Sequence, residues 1–253
     1  MHCLYKQNIL IGLLIAVFAL NVSAQNSESK PEGFPFVYAT YSFQVPSGDL
    51  QKRFGVSSEI GGGAGYKTST NWVLGAEASY IFGNDLKENP LENIMNSNNQ
   101  ITNMYGEPST IKMRQAGMQI KGTVGKIFPV SKNNSNSGIF IRGGVGLLQH
   151  KIYIENVGNN TPQVLGDYRK GYDRMCNGLS LSEFIGWQNF SNKGGYHFFV
   201  GFEFVQAWTK NRRAWDFSTN QKIEGQRLDL LYSIKIGWFI PFRKRQATGY
   251  FYY

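Results

Sequence analysis

From residue 36 onward the chain alternates between apolar and polar side chains. Val37, Ala39, Tyr41, Phe43 and Val45 stand against Tyr38, Thr40, Ser42 and Gln44. Near the other end Leu228, Leu230, Tyr232, Ile234, Ile236, Trp238, Ile240 and Phe242 stand against Asp229, Leu231, Ser233, Lys235, Gly237 and Phe239. A period of two is that of a β-strand whose faces meet different surroundings. The same period predicts eight strands, over 36–45, 58–67, 72–82, 114–128, 139–154, 179–190, 196–209 and 228–242. Strand two carries Gly61, Gly62, Gly63 and Gly65, which make room for large side chains opposite. Strand six breaks the pattern at one place: strict alternation sets Glu183 among Leu179, Leu181, Ile185 and Trp187.

The connections alternate too. Those after strands two, four and six (68–71, 129–138, 191–195) are short, and those after one, three, five and seven are long. The longest, 83–113, is rich in Asn, with a candidate helical turn at 90–95 and room for a further hairpin. Each strand has the roughly 9–11 residues that a tilted membrane crossing requires. An open edge in hydrocarbon would leave amides unpaired at several kcal/mol each, so a membrane-spanning sheet must close on itself. The expected fold is therefore all-β, an eight-stranded antiparallel transmembrane up-and-down β-barrel over 36–242, with both ends on one side. A soluble lipocalin-like barrel is the chief rival. It would put apolar side chains inside, whereas here the apolar sets form the longer, more aromatic face.

The ends sharpen this picture. Residues 1–24 carry Lys6, an apolar run from Ile9 to Leu20 and Val22-Ser23-Ala24, the layout of a cleaved secretory signal. A flexible lead follows over 25–35, and 243–253 is a basic and aromatic tail beginning Arg243-Lys244-Arg245. Aromatics make up 15% of residues and glycines number 29 of 253, which suits strands and tight turns. The formal charge of +9 becomes about +8 once Lys6 leaves with the signal. For an exported chain such a charge favours lipid phosphates or solvated ends, and excludes nucleic acid as a partner. Loss of Cys3 makes Cys176 solitary, so no intrachain disulfide is expected.

Two resemblances follow from particular residues. The stretch 235–242, KIGWFIPF, places Lys235, Gly237, Ile240 and Phe242 in a pattern that resembles the terminal-strand signal of Gram-negative outer-membrane barrels. That resemblance implies insertion by the barrel-assembly machinery and residence in the cell outer membrane, among its lipids. The chain also looks like the small OmpA-like architectural group, without the periplasmic peptidoglycan-binding domain of its larger members. PSGDLQKRF at 46–54, GYDR at 171–174 and GYFYY at 249–253 are similar to a Bacteroidota-type family of outer-membrane barrels. That family has no settled chemistry, so it implies no catalytic residues.

The interior carries what chemistry there is. Glu77, Glu203 and Asp229 face Lys121, Arg142 and Lys235, and are expected to form one balanced network that plugs the narrow lumen. Outer-membrane lipid A deacylases use a His-x-Ser near the rim. Here His150 is followed by Lys151-Ile152, and His197 opens strand seven at the other end, so neither catalysis nor a cofactor is expected. In GDYRKGYDR, 166–174, Asp167 and Asp173 are a weak calcium signal, whereas Tyr168, Arg169, Tyr172 and Arg174 have the chemistry of a protein contact. Glu183 could be relieved by a bulge that turns it inward, by closeness to headgroups, or by an outer-membrane protein partner. The expected function is a non-enzymatic structural or interaction component, such as an accessory subunit of an outer-membrane assembly or secretion machine. The alternatives are a narrow channel and, behind it, a lipid-modifying enzyme.

Overall fold

The computed structural model describes residues 32–131, 134–191 and 195–243. The expected signal over 1–24, most of the lead and the tail beyond Arg243 lie outside the described residues. Eight strands follow in order: β1 (Phe34–Gly48), β2 (Ser57–Lys67), β3 (Trp72–Gly83), β4 (Ile111–Ser131), β5 (Asn134–Asn156), β6 (Cys176–Asn189), β7 (Phe198–Asn211) and β8 (Gln226–Pro241). Each pairs antiparallel with the next, and β8 returns to β1, so the sheet is a closed up-and-down barrel.

The stagger can be followed residue by residue. From Val37 the paired positions run through Ala64, Ala76, Gly122, Val145, Leu181, Gln206 and Leu230 back to β1 at Ser47, ten residues beyond the start. In an eight-stranded ring that stagger tilts the strands by about 40° and leaves an interior that side chains alone can fill. Alternation then assigns every side chain to one of two surroundings. Tyr38, Thr40, Ser42 and Gln44 are buried, while Val37, Tyr41, Phe43 and Val45 point out and are exposed.

Strand ends depart from the apolar pattern where polar residues continue the ladder. The turn expected at 129–138 is mostly strand, because β4 and β5 pair on to Ser131 and Asn134 past a register shift at Pro129/Ser131. Asn134 and Ser137 are held by side-chain bonds to each other and to the Phe190 carbonyl, so backbone pairing continues without any apolar periodicity to reveal it. β4 and β5 are the longest strands, at 21 and 23 residues. Their free ends rise past the barrel mouth and support the long connections. Among the described residues the 84–110 connection holds a 3-10 turn at Glu92–Ile94, an isolated bridge within itself, Thr102–Pro108, and another to the first loop, Phe54–Leu86, and no further strand.

The interior is layered. At the short-turn end Phe34, Phe36, Tyr38, Val73, Ile127, Phe140, Phe184, Phe190, Phe199 and Phe239 form one buried cluster with repeated edge-on ring contacts, such as Phe184–Phe199 at 5.4 Å. At the long-loop end Leu50, Phe54, Leu91, Ile101, Val164 and Tyr172 from the connections pack on Ile81, Leu148, Ile152, Val205 and Leu231 of the wall. Charged side chains fill the waist between them. Gly237 shows how closely the floor is packed, since a Cβ there would overlap the Phe199 ring. Gly237→Val is accordingly expected to cost about 1–3 kcal/mol or more of folding stability through overpacking. Urea titration followed by tryptophan fluorescence would show an unchanged midpoint if the Phe199 ring could move aside.

Candidate functional site

The waist is built from inward-facing residues of six strands. Lys235 on β8 reaches Glu77 on β3 at 2.5 Å and Glu203 on β7 at 2.8 Å, with Glu59 on β2 at 3.9 Å. Lys121 on β4 lies 2.7 Å from Glu203 and 3.2 Å from Glu77. Arg142 on β5 spans the same two carboxylates, at 3.2 Å to Glu77 and 3.4 Å to Glu203. All six side chains are buried, none above 5% exposed. Three acids and three bases thus neutralise one another within one cluster. Neutral groups satisfy the remaining oxygens: Gln44 Nε2 donates to Glu59 at 2.8 Å, Ser79 also donates to Glu59, and the Tyr38 hydroxyl donates to Glu77 at 3.2 Å. The Arg142 guanidinium rests on the aromatic floor, 5.2 Å from the Phe184 centroid and 5.4 Å from Phe199.

Five of the six charges expected in one network meet here, and Asp229 does not. It sits one layer nearer the long loops, where it accepts from Thr209 Oγ1 at 2.5 Å and meets His150 Nε2 at 2.8 Å, with Arg227 at 3.4 Å. The tilt of β8 explains the separation: Asp229 and Lys235 share a face but are three inward positions apart. Its place as third acid is taken by Glu59, which strand two carries inward among its glycines. His150 is buried against Asp229 and the Phe54 ring.

Above this layer the long connections lock together through a second set of charges. Arg174, in the left-handed region at φ +47°, donates to Asp216 at 2.8 Å and also reaches Glu88 and Ser218. Arg53 reaches Glu88 at 3.0 Å and the Arg174 carbonyl at 2.9 Å, and Arg213 donates to Asp173 at 2.7 Å. Burial alone would raise the Asp216 carboxyl; bonds from Ser218 and the Thr219 amide, with the Arg174 guanidinium, hold it below the usual carboxylate range. Of the four residues expected at a protein contact, Tyr172 and Arg174 are therefore interior parts of this cap. Tyr172 packs edge-on to Phe217 at 5.5 Å, and Arg174 is consumed by its ion pairs. Tyr168, at 66% exposure, and Arg169 remain on the surface beside a depression of about 530 Å³ lined by Pro162, Gln163, Tyr168, Tyr172 and Phe217. Asp167 pairs with Lys170, and Asp173 with Arg213.

The outer wall is a belt of exposed Val, Ile, Leu, Phe and Tyr. It is bounded below by Trp72, Trp187 and Trp238, with Lys126 over the Trp72 ring at 5.3 Å, and above by Phe82, Gln149 and Trp208. Glu183 is the one charged side chain between those limits among the described residues. The ladders on both sides of β6 run without a register shift, Gly143–Glu183 and Glu183–Phe204, so no bulge turns it inward. It is the third of five outward residues, between Leu181 and Ile185. With about 3.3 Å per residue and a tilt near 40°, it stands about 10 Å from either end of its row, at the middle of the belt. Closeness to a boundary does not relieve it either.

The terminal-strand residues divide between the two faces. Lys235 and Gly237 point inward, to the waist and under Phe199, while Ile240 and Phe242 are exposed and the Phe242 amide donates to the Pro35 carbonyl at 2.9 Å.

No family model matches the chain, and no curated protein does. Among solved structures the chain is similar to Neisserial surface protein A, at 12% identity over 81% of this chain and 96% of that one, with a TM-score of 0.40. It is also similar to Ail, the attachment invasion locus protein of Yersinia pestis, at 8% identity over 83% of this chain and 99% of that one, with a TM-score of 0.43.

Two outcomes follow from the site. Lys235→Met leaves two bases among three buried carboxylates and is expected to destabilise the barrel by about 3–5 kcal/mol, while Lys235→Met with Glu203→Gln costs less than Lys235→Met alone. Additive losses in equilibrium urea unfolding would show that the cluster is not coupled. The Asp216 contribution, with its folded pKa lowered, is fully present above about pH 4 and is lost as pH falls below that value. Hydrogen exchange over 212–225 should therefore accelerate on acidification. Asp216→Asn should show the fast exchange already at neutral pH, and equal protection in both forms would remove Asp216 from the cap.

Proposed function

We propose that this chain is a non-enzymatic barrel spanning the outer membrane, closed to conduction, that acts through its surfaces as a structural or interaction component. The observation that carries this is the pairing of a continuous apolar exterior with an interior filled from floor to cap. An exposed belt of Ile60, Leu74, Ile120, Leu147, Phe202, Ile234 and Ile236, each about half exposed or more, has no place in water. Tryptophans at its lower boundary suit a membrane interface. Inside, the aromatic floor, the neutral six-charge waist and the hydrophobic lid fill the lumen in turn. The cap and the Tyr168 depression present the surface best suited to a partner outside the membrane, the kind of contact that an accessory subunit of an outer-membrane assembly or secretion machine would use. Glu183 is the exception to the belt. A carboxylate facing lipid at mid-depth costs on the order of 2 kcal/mol.

The test is fractionation joined to conductance. The mature chain should sediment with outer membranes and migrate faster on gels when unheated, and recovery as a soluble periplasmic protein would refute the spanning barrel. Reconstituted into planar bilayers it should pass no steady current. Unitary currents that change when Glu77 and Glu203 are replaced by Gln would favour the narrow channel instead.

A further inference from the structure

We propose that the β2–β6 sector of the belt seats a membrane-spanning partner protein, and that Glu183 receives a basic side chain of that partner at the middle of the bilayer. The inference rests on the spanning barrel above and adds the side of it that is occupied and the chemistry of the occupant.

Three observations converge on this sector. Glu183 makes no hydrogen bond or ion pair among the described residues, although it lies where an unpaired charge is least tolerated. Next to it the wall is thin: Gly143, its partner on β5, has open space where a Cβ would stand, and Gly122 on β4 has almost as much. At the same height the wall continues with Ala76 and Ala78 on β3 and Gly62 and Ala64 on β2. Small residues let another backbone approach closely, and that close approach is what drives association within lipid. On the other side of Glu183 the same height is filled by Phe204, stacked on Tyr232, and by Phe202 and Ile234, which stand well into the lipid. Between the exposed Ile60, Ile120 and Val145 these small residues thus leave a recess that ends at an unpaired carboxylate, and the bulky side begins there.

Charge decides the occupant. A second copy offers no base at this depth, because Lys126 lies at the lower boundary and Arg114, Lys151 and Lys210 at or beyond the upper one. Two copies inserted in the same direction are related by an axis along the membrane normal, which keeps every residue at its own depth. Glu183 of one copy could then meet only apolar groups or the other Glu183. A different spanning protein, with Lys or Arg placed in its own hydrocarbon segment, neutralises the carboxylate and is itself relieved by it.

A photo-crosslinking amino acid at Ile185, and separately at Ile236 on the bulky side, tests this in native outer membranes. The Ile185 probe should capture a spanning protein that mass spectrometry identifies and maps to a segment holding a basic residue, while the Ile236 probe captures lipid. Glu183→Gln should reduce that capture about tenfold while keeping the heat-dependent gel shift. Glu183→Lys should abolish it, and exchange of the partner's basic residue for Glu should restore it. Lipid alone or no adduct at Ile185, a second copy of this chain there, or capture unchanged by Glu183→Gln would each overturn the assignment. Absence of lipid adducts at Ile236 would instead remove the spanning barrel on which it rests.

Discussion

Closure of the ring is the constraint on which everything else depends. Once eight strands are joined with a stagger of ten residues, each backbone amide in the wall has its partner and each inward side chain must share a space too narrow for bulk water. The sequence answers that constraint in layers. Large rings occupy the end where short turns leave little else to fill it, and glycines such as Gly237 make way for them. The waist is charged, and it can be so because its members neutralise one another within about 3–4 Å and hand their spare oxygens to Gln44, Ser79 and Tyr38. Arg142 joins two of these layers, one edge on carboxylates and its plane near phenylalanine rings.

The cap follows from the same closure. A filled lumen offers the long connections no channel to line, so their apolar residues fold onto the mouth and their charges onto one another. Arg174 is central to that second lattice. Its left-handed backbone turns the chain from the 157–175 connection into β6, while its guanidinium ties Glu88 and Asp216 from two other connections. Tyr168 stays exposed at the depression it lines with Phe217, and Arg169 lies over the Tyr153 ring on the outside of β5.

Alternation is a strong signal where every second side chain meets apolar surroundings, and it was enough to read the eight strands, the two faces and five members of the waist. It weakens where ladders are polar. That is why β4 and β5 reach Ser131 and Asn134 inside what reads as a loop. Faces are local properties, whereas heights depend on stagger, which no single strand carries. Asp229 and Lys235 read as neighbours on one face, yet three inward positions along a tilted strand separate their layers; Glu59 reached the waist from a strand whose glycines hid it. Tyr172 and Arg174 have the composition of a binding surface, and only the packing of three connections shows that their chemistry is spent internally.

What the exterior does not balance is as informative as what the interior does. Inside, the charges of the waist and of the cap have counter-charges, and the buried Lys67 is held by the Glu32 and Thr68 carbonyls and the Phe34 ring, so the fold satisfies these charges where its own strands and loops meet. Glu183 lies on a regular ladder with glycine on one side and phenylalanine on the other, and neither neighbour can accept or donate a proton. A glutamine or leucine at this place would satisfy every contact the barrel itself makes, and would do so at lower cost in lipid. The carboxylate therefore contributes nothing to the wall that contains it. On the proposal made above, its energetic partner comes from outside the ring, on the side where Gly143 and Gly122 leave the wall thin.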